Sequence, residues 1–353
     1  MNVGAGAAIA SSFTGAPAIG PADVKAAAGR IAARVRPVTL VAADTKPFDE
    51  SSVYLACETT QVTGSFEARG AANLALYHLE HGALPEAGTV TAVCGNGNAA
   101  LACAWAARES GSRATVFATD EPDSRLSDLT AHLTTHRSAR ARLMRRLIEY
   151  GAEVHSVEGG SEQAARAAAD HAQRVGALFS HPSDNPLIAV GAGTLAAEIN
   201  ELIGAEIDTI VVTVGGGLVA GTCAALEHTG IRVVPVEPQR SRTLSAALEA
   251  GFPIDAPGAD DTTTPAADSL GARRVSQLTL DLARAAGCVP VQVTDEEIAC
   301  ARQSLWDQRR IPAEYGAAAA FAAIQSGAYV PDVYERVVVV IGGGNTDPAT
   351  LES

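Results

Sequence analysis

Short apolar runs alternate with stretches of helical periodicity along most of the chain. Val38 to Ala42, Val53 to Cys57, Val90 to Val93, Ala114 to Ala118, Glu153 to Val157, Ala177 to Phe179, Asp208 to Val214, Ile231 to Val236 and Val337 to Ile341 each predict a strand. Asp208 to Val214 and Val337 to Ile341 are uninterrupted and β-branched, the pattern of central strands covered on both faces. Between the runs lie helices. Ala22 to Val35 is Ala-rich, and Ala68, Ala71, Ala72, Ala75, Leu76 and Leu79 keep helical spacing up to Gly82, a natural stop. Arg137 to Tyr150 ends at Gly151, Glu162 to Val175 follows, and Thr294-Asp295-Glu296-Glu297 caps a further helix. Repeated strand-helix units predict an α/β fold with mainly parallel, doubly wound sheets.

Composition narrows the classes of function. With 353 residues and 47% apolar content, the chain can bury a large core as one big domain or two lobes. Its net charge of −14 and scattered arginines offer no basic face to nucleic acid or an anionic membrane. The six cysteines have no C-x-x-C or Cys/His ligand spacing, so neither a metal site nor a disulfide framework is expected, and a reducing cytoplasm fits best. Met1 to Pro21 lacks the basic region of a signal peptide and reads as a mobile arm. No uninterrupted apolar run reaches bilayer length, and a soluble protein is expected.

Candidate chemistry gathers where strands run into glycine turns. Val90 to Val93 leads into CGNGNAALA, with Asn96, Gly97 and Asn98 opening a helix, and Val214 leads into Gly215, Gly216, Gly217 and Leu218. A helix start behind a glycine turn offers backbone donors to an anion, although such turns also serve simply to reverse the chain. His181 and Asp184 suggest an acid/base pair, but Ser183-Asp184-Asn185-Pro186 accounts for them as turn chemistry. Arg140, Arg142, Arg145 and Arg146 suggest a solvated helix face, or alternatively a lid or subunit contact. Glu121 to Thr135 and Pro253 to Pro265 read as polar loops.

Several motifs in order carry a family resemblance. Thr63 to Asn73 reads TGSFEARGAAN, and Gly97-Asn98 is followed by Ala106-Ala107-Arg108. His181 to Ile199 reads HPSDNPLIAVGAGTLAAEI, Glu237-Pro238 ends a strand, and Ala267 to Gly271 reads ADSLG. Glu314 precedes an alanine-rich helix, and Gly342-Gly343-Gly344-Asn345 ends the last strand. Together these resemble the pyridoxal-phosphate (PLP) enzymes of fold type II, the serine/threonine dehydratase and tryptophan synthase β group. The resemblance implies two lobes: a large one from residues 1–57 and 159–353, and a small one from 58–158 inserted in it. The site is then expected between them, at the C-terminal ends of the strands.

In that family the first motif is T-G-S-F-K-x-R-G-A, whose lysine forms the aldimine with PLP and moves the substrate's α-proton. Glu67 stands at that position, and the only lysines, Lys25 and Lys46, precede the motif. The resemblance implies that Asn98 faces the cofactor's phenolic oxygen and that Gly215, Gly216, Gly217 and Leu218 hold its phosphate, in a cup one glycine shorter than usual. It also places Ser65, Arg69, Asn96, Gly97, Glu314 and Asn345 around the ligand. The family's Ser or Cys against the pyridine nitrogen is Gly342, and the glycine of its A-D-G-L is Ser269.

Two readings of function follow. In the first, the chain is a lyase-like enzyme of amino acid metabolism that works without a PLP-lysine aldimine, PLP being held noncovalently if it binds. Glu67 is then the acid/base for an elimination, isomerisation or cyclisation on an amino-acid-like or phosphorylated small molecule. In the second it is an inactive dehydratase homologue that binds a ligand or partner subunit. There Glu67 simply gains about 0.3–1 kcal/mol from the dipole of its helix's first turn. A homodimer is expected in either case.

Overall fold

The computed structural model of the chain describes residues 19–43, 52–93, 97–119, 133–181, 183–204, 206–257 and 266–351. Lys46, Asn96, most of the expected N-terminal arm and much of the two expected polar loops lie outside these residues.

The chain enters through α1 (Pro21–Ile31), β1 (Thr39–Ala42) and β2 (Ser52–Cys57), then α2 (Glu67–Glu80). Next come β3 (Thr89–Ala92), α3 (Asn98–Glu109), β4 (Ala114–Thr119), α4 (Leu133–Glu149), β5 (Glu153–Val157), α5 (Ser161–Val175) and β6 (Leu178–Phe179). It returns through α6 (Pro186–Ile203), β7 (Thr209–Thr213), α7 (Leu218–Ala225), β8 (Arg232–Pro238), α8 (Thr243–Ala250) and α9 (Ala267–Leu270). It closes with α10 (Gln277–Ala285), β9 (Val291–Val293), α11 (Asp295–Arg309), α12 (Tyr315–Gln325) and β10 (Arg336–Ile341). Strands and helices thus fall close to the positions that the apolar pattern predicts.

The strands form two sheets, one of six strands in the order β1-β2-β10-β7-β8-β9 and one of four in the order β5-β4-β3-β6. Every pairing is parallel except β1 with β2. The alternation of side chains along β10 supplies both halves of the larger core. Val337, Val339 and Ile341 pack with Phe321 and the alanines of α12, whereas Val338 and Val340 pack with Leu195, Ile199 and Leu218 of α6 and α7. The smaller sheet is covered by Leu101 and Ala104 of α3 with Leu147 of α4, and on its other face by Ala164, Ala168 and Ala172 of α5.

One expected boundary moves. Leu178 and Phe179 pair with Thr89 and Val90, so α5 and β6 complete the four-stranded sheet and the small lobe runs on to about residue 180 instead of ending at 158. A second correction concerns α6, which has the length and mean hydropathy (1.3) of a bilayer-crossing helix, but 56% of its apolar window is buried within the fold. It is a core helix.

α6 lies between α2 and α7 at a spacing that only glycine permits. A Cβ on Gly70 would sit 2.8 Å from Ile188 O, one on Gly191 2.6 Å from Arg69 O, and one on Gly193 2.4 Å from Gly221 O. On Gly221 it would sit 2.1 Å from Ala189 O. These contacts are backbone to backbone, so no rotamer change relieves an added methyl. Overpacking of this kind costs about 1–3 kcal/mol, and Gly221→Ala should lower the denaturant midpoint accordingly. An unchanged midpoint would mean that the helix packing has slack.

Candidate active site

Between β2 and α2 the chain crosses the C-terminal edge of the larger sheet. Phe66 N donates to Gly342 O at 2.9 Å and Gly344 N to Gly64 O at 2.9 Å, with an antiparallel bridge between Ser65 and Gly343. Gly64 has φ +86°, and a Cβ there would lie 2.3 Å from Asn345 Oδ1. Position 64 therefore has to be glycine for the two segments to meet. The pairing leaves Glu67 as the first residue of α2, facing inward from a fixed backbone.

Glu67 lines a small cleft together with Phe66, Asn98, Thr213, Gly215, Gly216, Ser269, Leu270, Glu314, Gly316, Ala317, Gly342 and Gly343. Phe66, Glu67, Asn98, Gly215, Gly216, Gly342 and Gly343 follow β2, β3, β7 and β10 and Thr213 ends β7, so this side of the cleft lies at the C-terminal ends of parallel strands, as expected for a doubly wound fold. Glu67 Oε2 is buried with no hydrogen-bond partner. Burial pushes the carboxyl from its usual 4.5 up to about 7, and nearby Glu58 pushes the same way. The Ser65 hydroxyl and the backbone N–H of Glu67 pull it down less strongly, although Ser65 Oγ makes no hydrogen bond of good geometry.

The other acid in the cleft is engaged. Glu314 accepts Asn98 Nδ2 at 2.9 and 3.1 Å and Asn345 N at 2.7 Å. Asn345 Nδ2 donates to Asn98 Oδ1 at 2.7 Å and to Thr63 O at 2.9 Å. Arg146, on α4, donates to Asn345 Oδ1 at 2.7 Å and to Thr63 O at 2.9 Å, and Arg142 pairs with Asp347 at 2.9 Å. Two arginines of α4 thus reach across to the loop after β10, so its expected solvated face is only partly solvated. His181 Nδ1 accepts the backbone amides of Ser183 and Asp184, and Asn185 caps α6, as turn chemistry predicted.

Several expected ligand residues turn out to be structural. Arg69 is buried away from the cleft, with Nε and Nη2 each 2.8 Å from Glu58 and Nη2 also 2.8 Å from Glu198. Gly97 packs under Leu143, where a Cβ would meet Cδ2 at 2.6 Å; Gly217 packs against Ala189; and Leu218 is a core side chain. Asn345 anchors the cleft without lining it, while Glu67, Asn98, Gly215, Gly216, Glu314 and Gly342 do line it. Thr213, Ser269, Gly316 and Gly343 were missed as lining residues. Ser269 was legible as a departure from A-D-G-L, whereas Thr213 shows only as a polar residue within an apolar run.

Two parallel-stranded lobes with a cleft at their strand ends define an α/β enzyme scaffold. The family described as "Pyridoxal-phosphate dependent enzyme" matches residues 31–343, and the chain belongs to that family. It is 31% identical to a serine dehydratase-like protein of Mus musculus over 306 residues, covering 83% of this chain and 85% of that protein. It is likewise 31% identical to the phenylserine dehydratase of Ralstonia pickettii, covering 87% of each. The structure of maize serine racemase superposes with a TM-score of 0.80 at 25% identity, covering 95% of this chain and 96% of that one.

The residues facing the cleft do not fit the lysine-bound PLP that the resemblance implies. Lys25 is exposed on α1, and the lysine position carries an acid. Gly342 offers no side chain to a ring nitrogen, and Ser269 Oγ accepts the backbone N–H of Gly316 at 3.0 Å. The Phe66 ring lies over the cup and the end of β10: a Cβ on Gly216 would sit 2.7 Å from Phe66 Cζ, and one on Gly342 3.1 Å from Cδ1.

A carboxyl raised from 4.5 to about 7 makes stability fall as pH rises through that window, because the folded state retains a proton that the unfolded state has lost. The effect is absent below the lower value, complete above the upper one, and amounts to roughly 3 kcal/mol at ~1.4 kcal/mol per pH unit. Glu67→Gln does not titrate, so its stability relative to the natural protein should improve by that order between pH 4.5 and 8. Parallel pH-stability curves for the two proteins would show that Glu67 ionises normally. At Arg69, substitution by Met should cost about 3–5 kcal/mol by stranding Glu58 and Glu198, read as a lowered unfolding midpoint.

Proposed function

We propose that this chain is a lyase-like enzyme of the serine/threonine dehydratase family that works without a PLP-lysine aldimine and uses Glu67 as its acid/base. The observation that carries this reading is the Glu67 carboxyl itself. It lines the cleft, one oxygen has no partner, and burial raises its pKa to about 7. A carboxylate tuned to neutrality can both take and return a proton. The dehydratase and racemase names of the relatives support chemistry at the α-carbon of an amino-acid-like small molecule.

In an elimination, the Glu67 carboxylate takes a proton from carbon. The electron pair of that C–H bond becomes a C=C bond and expels the group on the neighbouring carbon, and the acid so formed returns its proton to the departing oxygen. With no cofactor ring to accept the electron pair, the substrate's own carbonyl or carboxylate has to delocalise it, and isomerisation or cyclisation would begin with the same proton transfer. The Phe66 ring covers the Gly216 turn on one side of the cleft, and the Glu314 network holds Asn98 in place. The alternative, a homologue that binds without turnover, draws on that same network, because Asn98 and Glu314 already satisfy each other.

The test is Glu67→Gln, which keeps the shape and removes the titration. Turnover should fall by ~10²–10⁴-fold while ligand affinity measured at pH 6, where wild-type Glu67 is mostly protonated, stays within a few fold. Normal turnover in this variant would remove Glu67 from the chemistry. Separately, borohydride treatment after incubation with PLP should add no phosphopyridoxyl mass to the intact protein. A labelled Lys25 or Lys46 would overturn the lysine-independent reading.

A further inference from the structure

Two buried nucleophiles take no part in the chemistry above, Cys223 on α7 and Cys288 in the turn between α10 and β9. Their Sγ atoms lie 3.6 Å apart, touching but unbonded, although 65 positions separate them in sequence. Both belong to the apolar cluster that holds Leu244, Ala247, Leu280 and Ala283, where water does not compete for the thiols. Cys223 donates its S–H to Cys288, which holds the Cys288 thiol below its ordinary pKa and, together with burial, pushes the Cys223 thiol well up. The two sulfurs are held differently. α7 is wedged against α6 at Gly221, whereas Cys288 follows Gly287, at φ +65°, and precedes Val289, which is 75% exposed. A disulfide needs its sulfurs at about 2.05 Å, so closure takes roughly 1.5 Å, and the turn is the side that can supply it.

We propose that Cys223 and Cys288 form a reversible redox latch, in which hydrogen peroxide joins them as a disulfide that pins the α10–β9 turn to α7. In the first step the Cys288 sulfur, as thiolate, attacks a peroxide oxygen. The S–O bond forms as the O–O bond breaks, and the departing hydroxide takes up the thiol's proton and leaves as water. In the second step the Cys223 sulfur attacks the resulting sulfenic acid. The S–S bond forms, the S–O bond breaks, and the hydroxyl leaves with the Cys223 proton as a second water. Two thiols thus lose two electrons and two protons, and one peroxide becomes two waters. With a thiol already in contact, the sulfenic acid has its resolving partner in place before a second peroxide arrives. A dithiol reductant reverses the bond by exchange. Neither cysteine lines the cleft, and the latch is independent of the function proposed above.

Thiol counting on the whole protein tests it. After treatment with hydrogen peroxide and quenching, the chains are unfolded, alkylated with N-ethylmaleimide and weighed. The monomeric fraction should carry two labels fewer than the six of the untreated protein, and dithiothreitol before alkylation should restore both. Peptide mapping should find Cys223 cross-linked to Cys288, with fragmentation separating Cys288 from Cys300. In Cys223→Ala the pair of labels restored by reductant should be absent, and if that variant does not fold, the map of the natural protein decides alone. The oxidised natural protein should also unfold at a higher denaturant concentration than the reduced one, because the bond closes a long loop, and dithiothreitol should abolish the difference. Six labels after peroxide, a bond mapped to other cysteines, or equal midpoints would overturn the latch.

Discussion

The close approach of α6 to α2 and α7 is the constraint on which the site depends. Glu67 opens α2, the glycine cup opens α7, and α6 separates the two helices through Gly70, Gly191, Gly193 and Gly221. Side-chain contacts can repack when a neighbour changes, but peptide groups in van der Waals contact cannot. The position of an acid relative to the glycine turn is thereby set by backbone geometry. Arg69 adds a second restraint, because its guanidinium, on α2, pairs with Glu198 on α6 as well as with Glu58. That buried pair fixes the register of one helix on the other, and its desolvation is offset only because both carboxylates are in contact.

Against this rigid frame, Glu67 is held in a state that its own solvation opposes. Burial raises its pKa, and Glu58 adds repulsion, with Arg69 already committed to Glu58 and Glu198 and so no free counter-ion beside it among the described residues. The pairing of Ser65 and Phe66 with Gly342 and Gly343 supplies the restraint, since the helix start cannot rotate away without breaking backbone hydrogen bonds on both strands. Positions 67, 269 and 342 all face one volume, and all differ from the family's pattern.

Much of the fold was legible because strand content is local. The uninterrupted runs of β7 and β10 place those strands at the centre of the larger sheet, and the glycines that stop helices mark their ends. Partners distant in sequence were less legible. The boundary expected at 158 moved because β6 pairs with β3 nearly ninety residues earlier, and nothing in the two-residue strand Leu178–Phe179 announces its partner. Arg69 looked like a ligand residue from its place in the motif, yet its partner Glu198 lies far along the chain. The place of Glu67 in the cleft lining was legible because the motif kept on both sides fixes the backbone, and the backbone then fixes where the side chain points.

The network around Glu314 satisfies most of the polar groups of the cleft floor. Asn98 comes from the smaller lobe, Glu314 and Asn345 from the larger, and Arg146 from α4 across the gap, so their hydrogen bonds tie the two lobes together beneath the cleft. Each bond satisfies a group that would otherwise compete for a ligand. A fully satisfied polar floor is rigid and chemically quiet, whereas an unsatisfied one would bind water or collapse. With Asn98 and Glu314 occupied in this way, Glu67 Oε2 is, among the described residues, the buried side-chain acceptor in the cleft wall with no partner. The same network that ties the two lobes together leaves that oxygen without a hydrogen bond.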